Sequence, residues 1–258
     1  ASVVNHNGNN YASWNWKAGT TGSGTTTGSG TGKAYSYSVN TDAGFSIVKY
    51  IGNGTNGHTI PHHLGAVPQI LWEKVTVGNT NNWGFYHHKI GNDKAMYMDQ
   101  AGTATDDSFL NDTTPSSTVV TLGSNMTNQD GKTFIMYSFA EKQGYSKFGS
   151  YTGNSNADGT YVHLGFKPAF LIVKRTDASY RWTMSDNKRI GFNRIIHGLA
   201  ADSNAAEETG AAYGEFDFTA NGFKCRSAED GMNVGNIVYM AWAESPFVSS
   251  SGVPTTAR

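Results

Sequence analysis

"LGAVPQILWEK" (64–74) and "LGFKPAFLIVK" (164–174) align without a gap, 100 positions apart. Each runs from a Leu-Gly turn through a proline into an apolar stretch that ends in lysine. Upstream, "KYIGNG" (49–54) matches "SYTGNS" (150–155) at an offset of 101. Downstream, Trp83 in "NNWGFYHH" matches Trp182 in "YRWTMSD" at an offset of 99. The closing strings "TFIMYSFAEK" (133–142) and "NIVYMAWAES" (236–245) align at 103. Near-constant offsets over four motifs predict two copies of one module of about a hundred residues.

Within each copy the strand signals dominate. In "EFDFT", Phe216 and Phe218 share a face with polar residues between them. "AFLIVK" is continuously apolar behind Pro168, as a strand covered on both faces would be. Strands are predicted at 45–51, 69–77, 83–88, 95–98, 118–122 and 133–141, and again at 147–152, 169–175, 181–185, 194–199, 214–219, 222–226 and 237–243. "TDDSFLND" (105–112) and "SNAAEETG" (203–210) occupy equivalent places and could each form one helical turn. Strand spacing of roughly ten residues predicts an all-β chain of two tandem, homologous β-sandwich-like repeats.

"NYASWNWKAG" (10–19) fits the closing pattern, with Tyr11, Trp14 and Trp16 in the places of Phe134, Tyr137 and Phe139. Residues 1–19 therefore read as the terminal strand of a preceding repeat, and the chain as a piece of a longer repetitive protein. "GTTGSGTTTGSGTGK" (19–33) cannot bury apolar surface and is expected as a flexible or extended connector. The expected division is 1–19 preceding strand, 20–43 Gly/Ser/Thr-rich linker, 44–145 first repeat, 146–247 second repeat and 248–258 C-terminal tail.

Composition supports strands over helices. Gly occurs 31 times, Tyr and Phe 13 times each and Trp 6 times, while charged residues make up only 15 % against a usual level of about 25 %. Aromatics suit pleated surfaces, and Gly and Asn suit turns. The net charge is −1, with no basic cluster of the kind a nucleic-acid groove needs. No apolar run approaches the ~20 residues of a membrane-spanning helix. Cys225 is the only cysteine, so no disulfide framework or thiolate metal cluster is possible within the chain. It shares parity with Phe223 and reads as a small buried apolar residue.

The motifs "AGFSIVKYIGNGT", "LGAVPQILWEK", "SFAEKQGYSKFGSYTGN", "GFKPAFLIVKR", "NGFKCRS" and "AWAESPFVSSSGVPTTAR" together resemble a repeated module of bacteriophage tail-fibre or virion structural proteins, common in phages of marine bacteria, including cyanophages. The resemblance covers essentially the whole chain. It implies a virion location, on the tail or another surface appendage and thus extracellular, and brings no catalytic residues with it. The "GVPTTAR" end resembles the usual terminus of that family, so the fragment is expected to reach the true C-terminus.

His63 and His163 each precede the repeated Leu-Gly, and recurrence favours a turn residue over a ligand. His62/His63 and His87/His88 are adjacent pairs; neighbours on a strand face opposite ways, so neither pair can converge on one zinc ion. Asp106, Asp107 and Asp112, or Asp202, Glu207 and Glu208, could supply a glycosidase pair, but such carboxyls must face each other ~5–10 Å apart across a cleft. Glu141 and Glu244 follow the repeated closing strands and are expected to bond a loop backbone. No nucleophile elbow or phosphate loop is present. No catalytic residue, metal or cofactor is expected.

Aromatics near the matched tryptophan are the remaining candidates. Trp83, Tyr86, His87, Tyr180 and Trp182 are the expected glycan or receptor contacts, because flat rings stack on sugar C–H groups while polar rims bond hydroxyls. Trp83 and Trp182 also read as matched core residues. The expected function is a non-enzymatic virion structural protein, the C-terminal part of a tail fibre, serving assembly and host attachment. Its partners would be other virion subunits, a homotrimer by analogy with fibres, and host cell-surface polysaccharide, without nucleic acid or membrane insertion. A lectin-like receptor-binding module and a polysaccharide depolymerase are the alternatives.

Overall fold

The computed structural model describes residues 7–8, 11–124, 126–210 and 215–244. The tail expected at 248–258 and the strand start at Gly214 lie outside them, as do residues 1–6, 9–10 and Asn125.

The first half contributes β1 (Thr20–Thr25), β2 (Thr27–Gly28), β3 (Ala34–Asn40), β4 (Phe45–Ile51), β5 (His58–Pro61), β6 (Ile70–Val77), β7 (Gly84–His87), β8 (Lys94–Tyr97), β9 (Thr105–Asp106), β10 (Val119–Leu122) and β11 (Thr133–Phe139). The second contributes β12 (Ser146–Thr152), β13 (Tyr161–His163), β14 (Phe170–Arg175), β15 (Thr183–Asp186), β16 (Leu199–Ala200), β17 (Phe216–Thr219), β18 (Gly222–Cys225), the single-turn α1 (Asp230–Asn233) and β19 (Asn236–Trp242). Every ladder is antiparallel.

Two sandwiches result. An eight-stranded sheet, ordered β1-β3-β4-β11-β6-β7-β8-β9, packs on the three-stranded β10-β5-β2. A five-stranded sheet, β12-β19-β14-β15-β16, packs on β13-β18-β17. The central five strands of the large sheet, β4-β11-β6-β7-β8, follow the same order as the five of the smaller one. Registers match as well: Ile70 faces His87 and Phe139, while Phe170 faces Asp186 and Trp242.

Period-two alternation explains the layering. Along β6 and β11, Leu71, Val75, Phe134 and Met136 point into the first sandwich core. Along β14 and β19, Leu171, Val173, Tyr239 and Ala241 fill the second. The intervening residues, Ile70 and Phe139 on one sheet and Phe170, Ile172, Val238, Met240 and Trp242 on the other, meet in a third core between the two large sheets. The described residues thus form four β layers with three large cores and a small satellite cluster of Val39, Leu64 and Ala140, and β14 is buried on both faces because both faces are covered. Phe85 meets Trp182 edge-on at 4.7 Å across this seam.

Several expectations need correction. The Gly/Ser/Thr stretch expected as a linker forms β1 and β2, and residues 34–40 form β3. Its glycines lie flat under neighbouring rings: a Cβ on Gly22 would stand 2.6 Å from Tyr37, and one on Gly24 2.9 Å from Tyr35. Tyrosines from β3 supply the apolar cover that the stretch itself lacks. Residues 11–19 add no strand to any sheet, because β11 is already flanked on both sides by β4 and β6; their indoles enter the seam instead. No helix forms at 105–112 or 203–210, where β9, turns and an isolated bridge from Glu208 to Gly198 occur. Of the run 194–199, only Leu199 enters a strand, the two-residue β16, with isolated bridges from Ile195 to Phe216 and from Gly198 to Glu208.

Candidate aromatic seam between the two large sheets

Of the five expected contact residues, burial removes three. Tyr86 points into the first core with only 2 % exposure, and burial pushes its phenol up to about 12. His87 and Trp182 are fully buried in the seam. The alternation that puts Tyr86 on one face of β7 turns Phe85 and His87 to the other, where the second sandwich covers them. The Trp182 indole N–H donates to the carbonyls of Tyr97, at 2.9 Å, and Gln100, at 3.1 Å, so it serves as a bolt between halves.

His87 donates Nε2–H to the Tyr239 carbonyl at 3.2 Å and accepts from the Lys89 amide on Nδ1 at 3.1 Å. Both nitrogens are thereby committed in the neutral ring, and burial, aided by the neighbouring His88, lowers its pKa to about 3. His88 reaches the Phe148 carbonyl at 2.9 Å. His62 repeats the pattern inside the first half, bonding the Ser116 carbonyl and the Leu64 amide, and burial lowers it to about 4. These histidines are structural, and no three His, Cys, Asp or Glu among the described residues converge to hold a metal. His63 takes the left-handed turn conformation at φ 60° and stacks on Tyr37 at 3.7 Å.

Trp83 and Tyr180 remain accessible. Trp83 precedes β7 and shares a groove of about 530 Å³ with Trp16, Trp72, Met98 and Tyr137. Its ring lies nearly parallel to Tyr137 at 6.5 Å, and Tyr137 to Phe45 at 6.4 Å, making a row of rings across the sheet. Tyr180 lines a separate hollow of about 650 Å³, stacked under the Arg175 guanidinium at 5.1 Å and donating to Asp230 at 2.9 Å.

Trp14 and Trp16, expected in the terminal strand of a preceding repeat, complete the seam. They pack on their own chain: Trp14 stacks on Phe170 at 4.7 Å, and Trp16 contacts Trp242 at 5.2 Å and Phe139 at 5.9 Å. The segment divides the Trp83 groove from a larger one of about 1060 Å³, lined by Trp14, Trp16, Phe170, Trp242 and a polar rim. The sequence signal for this arrangement was the aromatic string at 10–19, which was expected as a strand.

Three of the six carboxylates weighed for glycoside chemistry are engaged elsewhere. Asp107 accepts from the Tyr97 hydroxyl at 2.9 Å, Asp202 from the Trp182 amide at 3.0 Å, and Glu207 pairs with Arg189 at 2.9 Å. Asp99 holds the Trp83 amide at 3.1 Å just as Asp202 holds that of Trp182. Glu141 accepts from the Phe148 amide at 2.7 Å, a backbone bond as expected, whereas Glu244 pairs with Lys188. Cys225 is buried, and burial pushes its thiol up to about 11, far from nucleophilic range.

The arrangement is suited to holding a flat amphipathic ligand: half-exposed rings offer stacking faces, and the rim offers donors and acceptors. No curated protein and no solved structure matches the chain. A family model described as a domain of unknown function, DUF7483, matches residues 1–246, so the chain belongs to that family.

Proposed function

We propose that this chain is a non-enzymatic adhesive module of a bacteriophage surface appendage of the tail-fibre type, assembling with other virion subunits and attaching to saccharide on the host envelope. The observation that carries the adhesive reading is the seam, where Trp14, Trp16, Trp72 and Trp83 stand half-buried around two adjoining grooves. Large aromatics are normally sequestered, and a cluster left partly open on a rigid scaffold marks a binding surface. The virion reading is supported by the motif resemblance and by a body built almost wholly of antiparallel sheet with three large cores, suited to mechanical load. Origin of the two units in one duplicated module belongs to the same proposal; matching strand order and register support it.

The test combines mass measurement of the purified chain with binding to an array of bacterial surface polysaccharides and to intact cells. Retention on polysaccharide or cells is expected. A monomer that binds neither overturns the proposal, and release of reducing ends would replace it with the depolymerase reading.

A further inference from the structure

The ends of the two large sheets are β1 and β9 in one and β12 and β16 in the other. An open sheet edge offers unpaired N–H and C=O groups to any strand that reaches it, and proteins block such edges with charge, short strands or capping groups. Three of these ends are blocked in those ways. β9 and β16 are two residues long, and β9 ends in Asp106. On β12 the Phe148 amide donates to Glu141 and the Phe148 carbonyl accepts from His88, so side chains occupy the middle of that edge. β1 has no such block. Its six residues, Thr20–Thr25, carry neither charge nor proline, are almost all exposed, and have no strand on their outer side among the described residues.

The β1–β3 ladder fixes which groups point outward. Thr25 faces Ala34, and one step further the Thr26 amide donates to the Lys33 carbonyl. Bonded pairs recur at every second residue of an antiparallel ladder. Gly24, Gly22 and Thr20 therefore bond β3, while Thr25, Ser23 and Thr21 turn their N–H and C=O groups away from it. The stretch that holds these outward residues, "TGSGT" (21–25), reads the same in both directions. Two copies laid antiparallel about an axis at Ser23 set Ser23 against the partner's Ser23 and Thr21 against the partner's Thr25. Each outward donor then meets an outward acceptor, with two bonds in each facing pair. A shift of one residue sets outward groups against inward ones and breaks every bond. A shift of two leaves Thr25 without a place.

We propose that β1 is a self-association edge: two copies of this chain pair β1 to β1 across a two-fold axis at Ser23, joining their eight-stranded sheets into one continuous sheet. A two-fold contact brings each residue near its own kind, so a charge on the strand would meet a like charge, and β1 has none. The Thr and Ser hydroxyls of the outward residues stand beside one another across the joint, where they can hydrogen-bond. On the opposite face Gly22 meets the partner's Gly24, so the bare surface beneath Tyr37 and Tyr35 runs on across the axis. The contact uses up the edge on both copies and closes at two, which keeps an otherwise unguarded strand from building fibres. Without an apolar core the joint belongs to the weak, reversible class. The pairing stands apart from the adhesive reading, because no residue lining the two aromatic grooves lies on β1.

The experiment is sedimentation of the intact chain over a range of concentrations, followed by oxidative cross-linking of cysteine variants. The mass should rise with concentration from one chain to two and stop there. Ser23→Lys sets two ammonium groups against each other at the axis and should raise the dissociation constant by roughly tenfold or more, with the unfolding temperature unchanged because the residue is exposed. The cysteine variants read the register, since Cys225 is buried and does not compete. Ser23→Cys places two sulfurs on Cα atoms about 5.5 Å apart, within disulfide reach, and should cross-link to a covalent dimer. Thr21→Cys alone should not, because its two copies lie about 13 Å apart along the strands. A mixture of Thr21→Cys and Thr25→Cys chains should cross-link. A single-chain mass at every concentration, a three-chain species, a dimer indifferent to Ser23→Lys, or cross-linking of Thr21→Cys to itself as readily as Ser23→Cys would each overturn the pairing. Polysaccharide and cell binding by a chain that stays single would leave the adhesive reading standing while the pairing falls.

Discussion

The two sandwiches share a frame and differ in what they bury. In the first, the Tyr50 hydroxyl lies 2.6 Å from the Thr127 carbonyl and 2.6 Å from Glu73 Oε1. A phenol has one proton and a carbonyl can only accept, so Glu73 must carry its own proton and donate it to Tyr50. Burial raises the Glu73 pKa well above the ordinary carboxylic range, in agreement. In the second sandwich, Tyr151 donates to the Met232 carbonyl at 2.5 Å and faces the Cys225 sulfur at 3.6 Å. Val173 stands in register where Glu73 does. One frame thus accommodates an acid or a thiol beside the same tyrosine, and because an acid ionises at lower pH than a thiol, alkali acts on the first half earlier.

Asn128 and Asn233 show the frame itself. Asn128 accepts from the Asn53 amide at 2.9 Å and reaches the carbonyls of Thr55 and Gly123, both at 2.9 Å. Asn233 accepts from the Asn154 amide at 3.2 Å and reaches the carbonyls of Asn156, at 2.7 Å, and Ser227, at 2.9 Å. Gly52 and Gly153 lie beside them, where a Cβ would stand 2.4 Å from the Gln129 carbonyl oxygen and 2.0 Å from the Asn233 carbonyl carbon.

The sharpest way to break the comparison is through the matched tryptophans. Trp182→Ala empties a fully buried site and orphans two carbonyls, and it should cost about 3–5 kcal/mol in chemical denaturation. Trp83→Ala, at the equivalent but half-exposed position, should cost under about 1.5 kcal/mol. Equal losses would mean that the seam does not hold the two halves together. Next, Asn128→Ala and Asn233→Ala should each destabilise by about 2–3 kcal/mol, and by similar amounts, since each strands several buried backbone groups. A large effect at only one of them would show that the halves do not rely on the asparagine alike.

Smaller effects appear with pH. Glu73 has its folded pKa raised, so its contribution is full below the ordinary value of 4.5 and is lost as pH rises. His62 and His87 have theirs lowered, so their contribution is present above 6.5 and is lost as pH falls toward about 4 and about 3. Each group alters stability by at most about 1.4 kcal/mol per pH unit. Urea midpoints for Glu73→Gln should lose the decline above pH 4.5 and keep the acid limb. A mutant that declines with alkali as the parent does would place the ionised form of Glu73 in the fold. Acid loss confined to pH below 3 would remove the histidines from the account.

How much was legible follows from reach along the chain. The strands of "FSIVKYI", "QILWEKV" and "TFIMYSF" were readable because alternation and branched or aromatic residues declare themselves within seven positions. β1 and β2 were not, since their stabilising rings belong to β3 and no residue of "TTGSGT" carries apolar area. β5 and β13 are too short, at four and three residues, to show a period. The aromatic candidates were chosen by type and neighbourhood, and Tyr86, His87 and Trp182 failed because a whole second sheet covers them.

The sequence alone determined that the chain is all-β, where its strong strands lie and which motifs recur in register, because those properties reside in local backbone preference and period-two patterning. Only the tertiary structure decided that two sandwiches stack into four layers, that Trp14 and Trp16 enter the joint, and that Tyr86, His87 and Trp182 are covered. Those outcomes depend on which faces meet across residues far apart in the chain, and such meetings are set by packing of the whole.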